Sequence, residues 1–132
     1  IVARAVGNYE FDLAAQATLE MFTHGSPADR PDALFVASDH MAFAAMDTLR
    51  GALGLRIPED VSVVGFDNVQ QAEWGAYRLT TVEQNVSQMI EATVKMLLQQ
   101  LEDDAVTRDH AVIPARLVVR SSARVPATGA LA

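Results

Sequence analysis

Residues 57–68 have the sequence IPEDVSVVGFDN, and this stretch decides the fold. Residues 57–60 are typical of a turn, and residues 61–66 form an almost continuous apolar run that indicates a β-strand buried on both faces. Strands of this kind belong to parallel sheets that helices cover on each side. Asp67 and Asn68 then place polar side chains where the strand ends. The stretch therefore predicts an α/β protein with polar groups at the carboxyl end of a central strand.

The rest of the chain repeats this alternation of strand and helix. Further strands are predicted at 1–6, 33–37, 79–82, 110–113 and 117–120. Helices are predicted, from apolar residues at helical spacing, at 12–22, 39–52 and 86–101. Repeated strand–helix units of this length imply a parallel sheet with helices on both faces.

Polar residues follow three of the predicted strands and mark a candidate binding site. In a parallel sheet the carboxyl ends of the strands meet at one edge, where ligands bind. The Asp67 carboxylate can accept hydrogen bonds from vicinal hydroxyls or a base N–H, Ser38 can bond a ligand hydroxyl, and Tyr9 can stack on a sugar ring or base. Each has a simpler alternative, because Asp67 can cap a turn, Ser38 can cap a helix and Tyr9 can be an exposed loop aromatic.

Composition narrows the class of protein. The chain has 132 residues, half of them apolar and a fifth charged, which is enough for one modest globular domain. Its formal net charge is −7 and no cluster of Lys or Arg forms a basic face, so this segment is not expected to bind nucleic acid. It has no cysteine, which fits a cytoplasmic protein, and no apolar run long enough for a membrane span.

Nothing in the sequence indicates catalysis or a metal site. Ser38, Asp39 and His40 are consecutive, and neighbours in a helix point to different sides, so they cannot form a catalytic triad. There is no G-x-S-x-G motif and no phosphate-binding loop. His24, His40 and His110 lack the spacing of metal ligands. The sequence therefore predicts a binding module that is not an enzyme and has no catalytic residues, metal or cofactor.

Four motifs resemble those of LacI/GalR-type regulators. The stretch 57–68 is similar to the family pattern vPeDvSvvGFDd, and residues 31–42, PDALFVASDHMA, are similar to PdAlFaaNDxMA. Residues 79–84, LTTVEQ, and 117–122, LVVRSS, resemble LTTVxQ and LvvRxS. The resemblance covers nearly the whole chain in the same order. It implies the type I periplasmic-binding-protein-like fold, in which two Rossmann-like α/β subdomains clamp a small effector.

The resemblance also implies roles for single residues. Asp67 would be the effector-binding carboxylate, Ser38 stands where the family usually has Asn, and Tyr9 is the aromatic of a GDF-like turn. It adds Gln84, near the crossover between the subdomains. Asn8 stands where the family commonly has Asp, which together with Ser38 implies a larger or differently placed effector.

By the same resemblance the chain is an incomplete fragment of the effector domain. The expected division is 1–84 and 114–124 in the C-terminal effector-binding subdomain, 85–113 in the N-terminal subdomain, and 125–132 as a tail. The chain starts at Ile1 without a Met, so we expect it to come from the middle of a longer protein. Helix 86–101 would then lack the sheet it packs on and expose its apolar stripe, which predicts a dimeric or swapped fragment.

The predicted function is effector sensing and dimerisation in a cytoplasmic LacI/GalR-type transcriptional regulator. The expected partners are a sugar or nucleoside effector and a second copy of the chain, with operator DNA bound only through a helix-turn-helix that this chain lacks and with no membrane. The alternative is a periplasmic-type sugar-binding receptor of a transport system. The two differ in what precedes Ile1: a helix-turn-helix in the regulator, a secretion signal in the receptor.

Overall fold

The computed structural model describes residues 3–24, 26–102 and 110–125. Its helices are α1 (Phe11–Thr23), α2 (Asp39–Asp47) and α3 (Val86–Glu102). Its strands are β1 (Ala33–Phe35), β2 (Ser62–Phe66), β3 (Thr80–Glu83) and β4 (Arg116–Val118). Short 3₁₀ turns cover Pro27–Asp29 and Gln70–Glu73, and a π-helical turn, Thr48–Ala52, extends α2. The three predicted helices are therefore confirmed to within a residue or two, apart from the change of helix type after Asp47.

The four strands form one mixed sheet in the order β1-β2-β3-β4. β1 and β3 both run parallel to β2, whereas β4 runs antiparallel to β3. The parallel sheet is thus confirmed for β1 to β3 and wrong for β4. In the antiparallel pair Glu83 lies opposite Arg116, and their side chains form an ion pair at 2.6 Å, a cross-strand contact that favours this register.

Two of the predicted strands do not form. Residues 3–6 are irregular and Val6 is 77% exposed, while Ile1 and Val2 lie outside the described residues. Residues 110–113 are also irregular, and Val112 is exposed. Both predictions were wrong for the same reason: an apolar β-branched pattern measures only a preference, and a strand also needs a neighbour to accept its backbone hydrogen bonds.

The core lies between α1, α2 and one face of the sheet. α2 is its centre, since residues 41–46 are all buried, and it packs against both α1 and β2. The main cluster consists of Phe22, Ala42, Phe43, Met46, Leu49, Val61, Val63, Ala72 and Leu79. This packing fixes the start of α2 against the carboxyl ends of the strands, where the polar residues lie.

The segment after β4 is held to the sheet by Ser122 and Arg124. Ser122 is 1% exposed, and its hydroxyl accepts from Thr80 N at 2.7 Å and donates to Val63 O at 2.6 Å. The Arg124 guanidinium donates to Asp32 O at 2.8 Å. The Ser122 hydroxyl, which can both donate and accept, thus satisfies a backbone N–H of β3 and a backbone carbonyl of β2.

α3 differs from the other helices because none of its residues is buried. Its exposed apolar side chains are Val86, Met89, Ile90, Val94, Leu97, Leu98 and Leu101. The exposed stripe expected from the sequence is therefore present. Within the three described ranges, every helix falls short of the length and apolar content that a membrane crossing requires.

Candidate functional site

A buried carboxylate links α2 to β3 and to the segment after β2. Asp39 is the first residue of α2, four positions after β1 ends, and it is 0% exposed. Its Oδ1 accepts from Thr81 Oγ1 of β3 at 2.6 Å, and its Oδ2 accepts from Val69 N, beyond the end of β2, at 2.9 Å. The Asp39 side chain thus ties the start of α2 to β3 and to the segment after β2.

Ser38 serves as the N-cap of α2. Its Oγ accepts from His40 N at 3.3 Å, and the residue is only 8% exposed. This is the simpler role that the sequence left open. The neighbouring Asp39 is the residue that contacts β3 and the segment after β2. The three consecutive residues make separate contacts, since His40 places its ring against Phe11.

Asp67 and Gln84 meet at the end of β2. Gln84 Nε2 donates to Asp67 Oδ1 at 2.9 Å, and Asp67 is exposed. Asp67 has a φ of 119° and Asn68 a φ of 56°, both in the left-handed region that side chains other than glycine rarely adopt. Consecutive strained residues of this kind concentrate at functional sites. Asp67, selected from its position at a strand end, and Gln84, selected from the family resemblance, are therefore in contact.

Tyr9 lies in the loop that leads into α1. Asn8 and Tyr9 have φ values of 49° and 59°, and the Tyr9 residue is 70% exposed. The loop is brought towards α2 by Phe11, whose ring centroid lies 5.6 Å from that of His40 at an angle of 60°. The structure thus leaves Tyr9 open to solvent two residues before the Phe11–His40 contact, whereas Asp67 and Gln84 are in direct contact with each other.

Asn68 is fixed by a polar network on the other side of Asp67. Its Nδ2 donates to Glu83 Oε1 at 2.8 Å, and its Oδ1 accepts from Arg120 Nη2 at 2.8 Å. Arg116 donates to the same Glu83 and, with Asn68, holds the pKa of that carboxyl below its usual range. Because both ends of the Asn68 amide are engaged, the exposed Asp67 carboxylate is the acceptor that this loop presents.

The site is acidic in two places. Burial raises the pKa of the Asp39 carboxyl, the hydrogen bonds from Thr81 and Val69 oppose that shift, and the charge of Asp67 adds to it. Asp39 faces the inside and Asp67 the outside of the same turn. The outer carboxylate suits hydroxyl and N–H donors of a ligand, while the inner one is occupied by the protein itself.

Gln84 also lines a cavity of about 450 Å³ between the start of α3 and the segment before β4. Its other lining residues are Glu83, Asn85, Val86, Ser87, Pro114 and Arg116. The side chain thus faces both Asp67 and this hollow. Within the described part of the chain, no group of three or more His, Cys, Asp or Glu residues is arranged to hold a metal ion.

Known proteins are similar to this chain in sequence and in fold. A family model described as a periplasmic binding protein-like domain matches residues 2–123. The HTH-type transcriptional repressor PurR of Vibrio vulnificus (strain CMCP6) is 36% identical over 118 residues, which are 89% of this chain and 34% of that protein. The repressor MelR of Bacillus subtilis (strain 168) is 38% identical over 92 residues, 70% of this chain and 26% of that protein.

Solved structures of LacI-type regulators superpose on this chain. The regulator CelR in complex with cellobiose superposes with a TM-score of 0.73 at 34% identity, covering 85% of this chain and 33% of CelR. A LacI family regulator of Lactobacillus casei with bound sucrose gives 0.67 at 29% identity, covering 86% and 40%. The chain spans about a third of the length of the first of these curated relatives. It belongs to the periplasmic binding protein-like domain family, in the form that this domain takes in LacI-type regulators.

Proposed function

We propose that the chain is the effector-sensing part of a LacI-type transcriptional regulator and binds a saccharide through Tyr9, Asp67 and Gln84, with Ser38 shaping the site by capping α2. The observation that carries the proposal is the Asp67–Gln84 hydrogen bond of 2.9 Å at the carboxyl end of the sheet. It places a carboxylate and an amide side by side, a pair that can both accept from and donate to neighbouring hydroxyls.

A saccharide is favoured over a nucleoside by the similar solved structures. Two regulators that superpose on this chain have a sugar bound: CelR holds cellobiose, and the Lactobacillus casei regulator holds sucrose in one structure and glucose in another. The exposed ring of Tyr9 offers an apolar face on which a sugar can stack. A nucleoside remains the second candidate, because a base N–H can bond to Asp67 in the same way, and it is distinguished by including inosine and guanosine in the binding test.

The chain is proposed to sense and not to catalyse. Its curated relatives are repressors, which favours a cytoplasmic regulator over a transport receptor. DNA would be bound by a helix-turn-helix outside this chain, and effector binding would change the relative orientation of two subdomains and thereby the spacing of the DNA-reading helices. In this arrangement residues 1–84 and 114–124 belong to one subdomain and 85–113 to the other.

Replacing Asp67 with Ala should weaken effector binding by about 1–3 kcal/mol, or roughly 5- to 150-fold in Kd, because ligand hydroxyls lose their charged acceptor. A thermal-shift screen of the complete protein with glucose, sucrose, cellobiose, inosine and guanosine first selects the ligand. Calorimetry then compares the parent with Asp67→Ala and with Asp29→Ala, which removes an exposed carboxylate from the turn after α1. Unchanged affinity in Asp67→Ala removes that residue from the site.

We also propose that the 132-residue chain by itself associates through α3. What supports this is the apolar stripe of α3, which is exposed along the length of the helix. Apolar surface of this extent is rarely left in water by a monomer. By analogy with the relatives, the stripe would be covered by the other subdomain in the complete protein.

The measurement is size-exclusion chromatography with light scattering. The chain should elute as a dimer, and Leu97→Lys should shift it towards the monomer. Gln88→Lys adds the same charge nine residues earlier, two and a half turns away and so on the opposite side of the helix, and should leave the dimer intact. A monomeric parent chain would contradict the proposal.

A further inference from the structure

We infer that Asp39 is a positioning residue: its buried carboxylate sets the backbone of residues 67–69 and thereby holds Asp67 where it can meet a ligand. The inference rests on the proposed binding role of Asp67 and deepens it. It concerns a residue that does not itself reach the ligand, because Asp39 is fully buried while Asp67 is exposed.

The first argument is the cost of the buried acid. A carboxylate removed from water is unfavourable unless hydrogen bonds compensate it, and replacing buried charged groups with apolar ones is often neutral or stabilising. The partners of Asp39 are the Thr81 hydroxyl at 2.6 Å and the Val69 N–H at 2.9 Å, which are neutral groups. Stability alone therefore gives little reason for a carboxylate at position 39. Its hydrogen bond to Val69 N indicates instead that it holds the backbone of the loop.

The second argument is the strain of the loop. Asp67 and Asn68 both have positive φ, a conformation that unconstrained side-chain-bearing residues rarely adopt. The strained pair lies between two anchors. On one side Asp67 N donates to Val82 O at 2.9 Å, and on the other Val69 N donates to Asp39 Oδ2. Without the Asp39 anchor the backbone after Asn68 loses its hydrogen bond, and only the side-chain contacts of Asp67 and Asn68 then oppose relaxation of the turn to an ordinary conformation.

The third argument is the space made for the carboxylate. Gly65 lies in β2 directly against it, and a Cβ added at that position would be 2.2 Å from Asp39 Oδ1. The strand thus carries a glycine where the acid approaches its backbone. Gly65 and Asp39 are thus matched in size, and both lie next to the turn that carries Asp67.

The test follows two quantities in the complete protein. The first is hydrogen exchange at the amides of Asn68 and Val69, compared with that of β2. The second is affinity for whichever of glucose, sucrose and cellobiose binds the parent most tightly. Asp39→Ala should speed exchange at the two loop amides at least tenfold more than in β2 and weaken binding at least tenfold. Ser62→Ala, which removes a buried hydroxyl at the amino end of β2, should do neither.

A double-mutant cycle separates positioning from general stability. In an Asp67→Ala background, Asp39→Ala should change affinity less than twofold, since the group it positions is already gone. Asp39→Asn should restore most of the affinity, because its amide oxygen can accept from Val69 N and its NH₂ can donate to the Thr81 hydroxyl. If Asp39→Ala does not fold, Thr81→Val is used, with the same pattern expected at threefold or more.

Two results would overturn the inference. One is loop exchange that rises no more than exchange in β2, and the other is an affinity loss equal in the presence and absence of the Asp67 side chain. Failure of all three sugars to bind the parent would instead contradict the saccharide proposal. The exchange measurement needs no ligand, so it still decides whether Asp39 holds the loop.

Discussion

Gly65→Ala should lower the free energy of unfolding by about 3 kcal/mol, the upper part of the range for overpacking a tight interior. The new Cβ would lie 2.2 Å from Asp39 Oδ1 and 2.8 Å from Leu79 Cδ2. Leu79 can adjust its side chain only within a packed core, and Asp39 can move only by giving up its bonds to Thr81 or Val69. The loss should be visible as a lower midpoint in urea unfolding followed by circular dichroism.

Gly51→Ala is the matched control. A Cβ added to Gly51 meets no atom within 4 Å, and this residue lies in the helical turn after α2. Alanine is favoured over glycine in a helix, so this change should be neutral or slightly stabilising. If the two variants unfold at the same urea concentration, that result contradicts the close approach of the Asp39 carboxylate to the backbone of β2.

Ser122→Ala should cost about 2–4 kcal/mol of stability, because it leaves two buried backbone groups without a partner at roughly 1–3 kcal/mol each. The Ser122 hydroxyl accepts from Thr80 N and donates to Val63 O, so one side chain bridges β2 and β3 from the segment after β4. Alanine keeps the volume nearly unchanged and removes both bonds. Chemical unfolding of the variant gives the difference directly.

Ser121→Ala provides the comparison for that experiment. Ser121 is the exposed neighbour, and its contact with the sheet is a backbone one, from its N–H to Arg78 O, which the substitution retains. A change within about 0.5 kcal/mol is expected, as for ordinary surface positions. A loss at Ser122 no greater than that at Ser121 would mean that the bridging hydroxyl contributes nothing.

The sequence was sufficient for the elements that are patterned locally. The apolar runs 33–37 and 61–66 predicted two strands, which the structure pairs in parallel, although the Phe35 residue of the first is 65% exposed and that strand is not buried on both faces. Asp67 followed from its position at a strand end. Strand direction is not encoded in such a pattern, so the antiparallel β4 was missed, and the strand at 1–6 was predicted from apolar residues for which the described chain offers no partner.

The candidate site was predictable only in part, for a related reason. Gln84 was selected only because LTTVEQ resembles a family motif, since no pattern of the residues themselves predicts a binding role for it. The role of Asp39 depends on Thr81 and Val69, which lie 42 and 30 positions away along the chain. Hydrogen bonds between residues far apart in the sequence do not produce a periodic pattern in it. One local signal was available, since a glycine within a buried strand often marks a close approach of another group.

The contacts of residues 120–125 bear on how the chain is made. Arg124 donates to Asp32 O across 92 positions, and Ser122 reaches Val63 across 59. Contacts between such distant positions slow folding, because a long loop must close before they are gained. During synthesis on the ribosome, the first three strands and two helices emerge well before the residues that lock them together. The nascent chain therefore passes through a stage in which the residues of the main core cluster have emerged but β2 and β3 still lack the bridging hydroxyl of Ser122, and binding by a chaperone in that stage would protect it from aggregation.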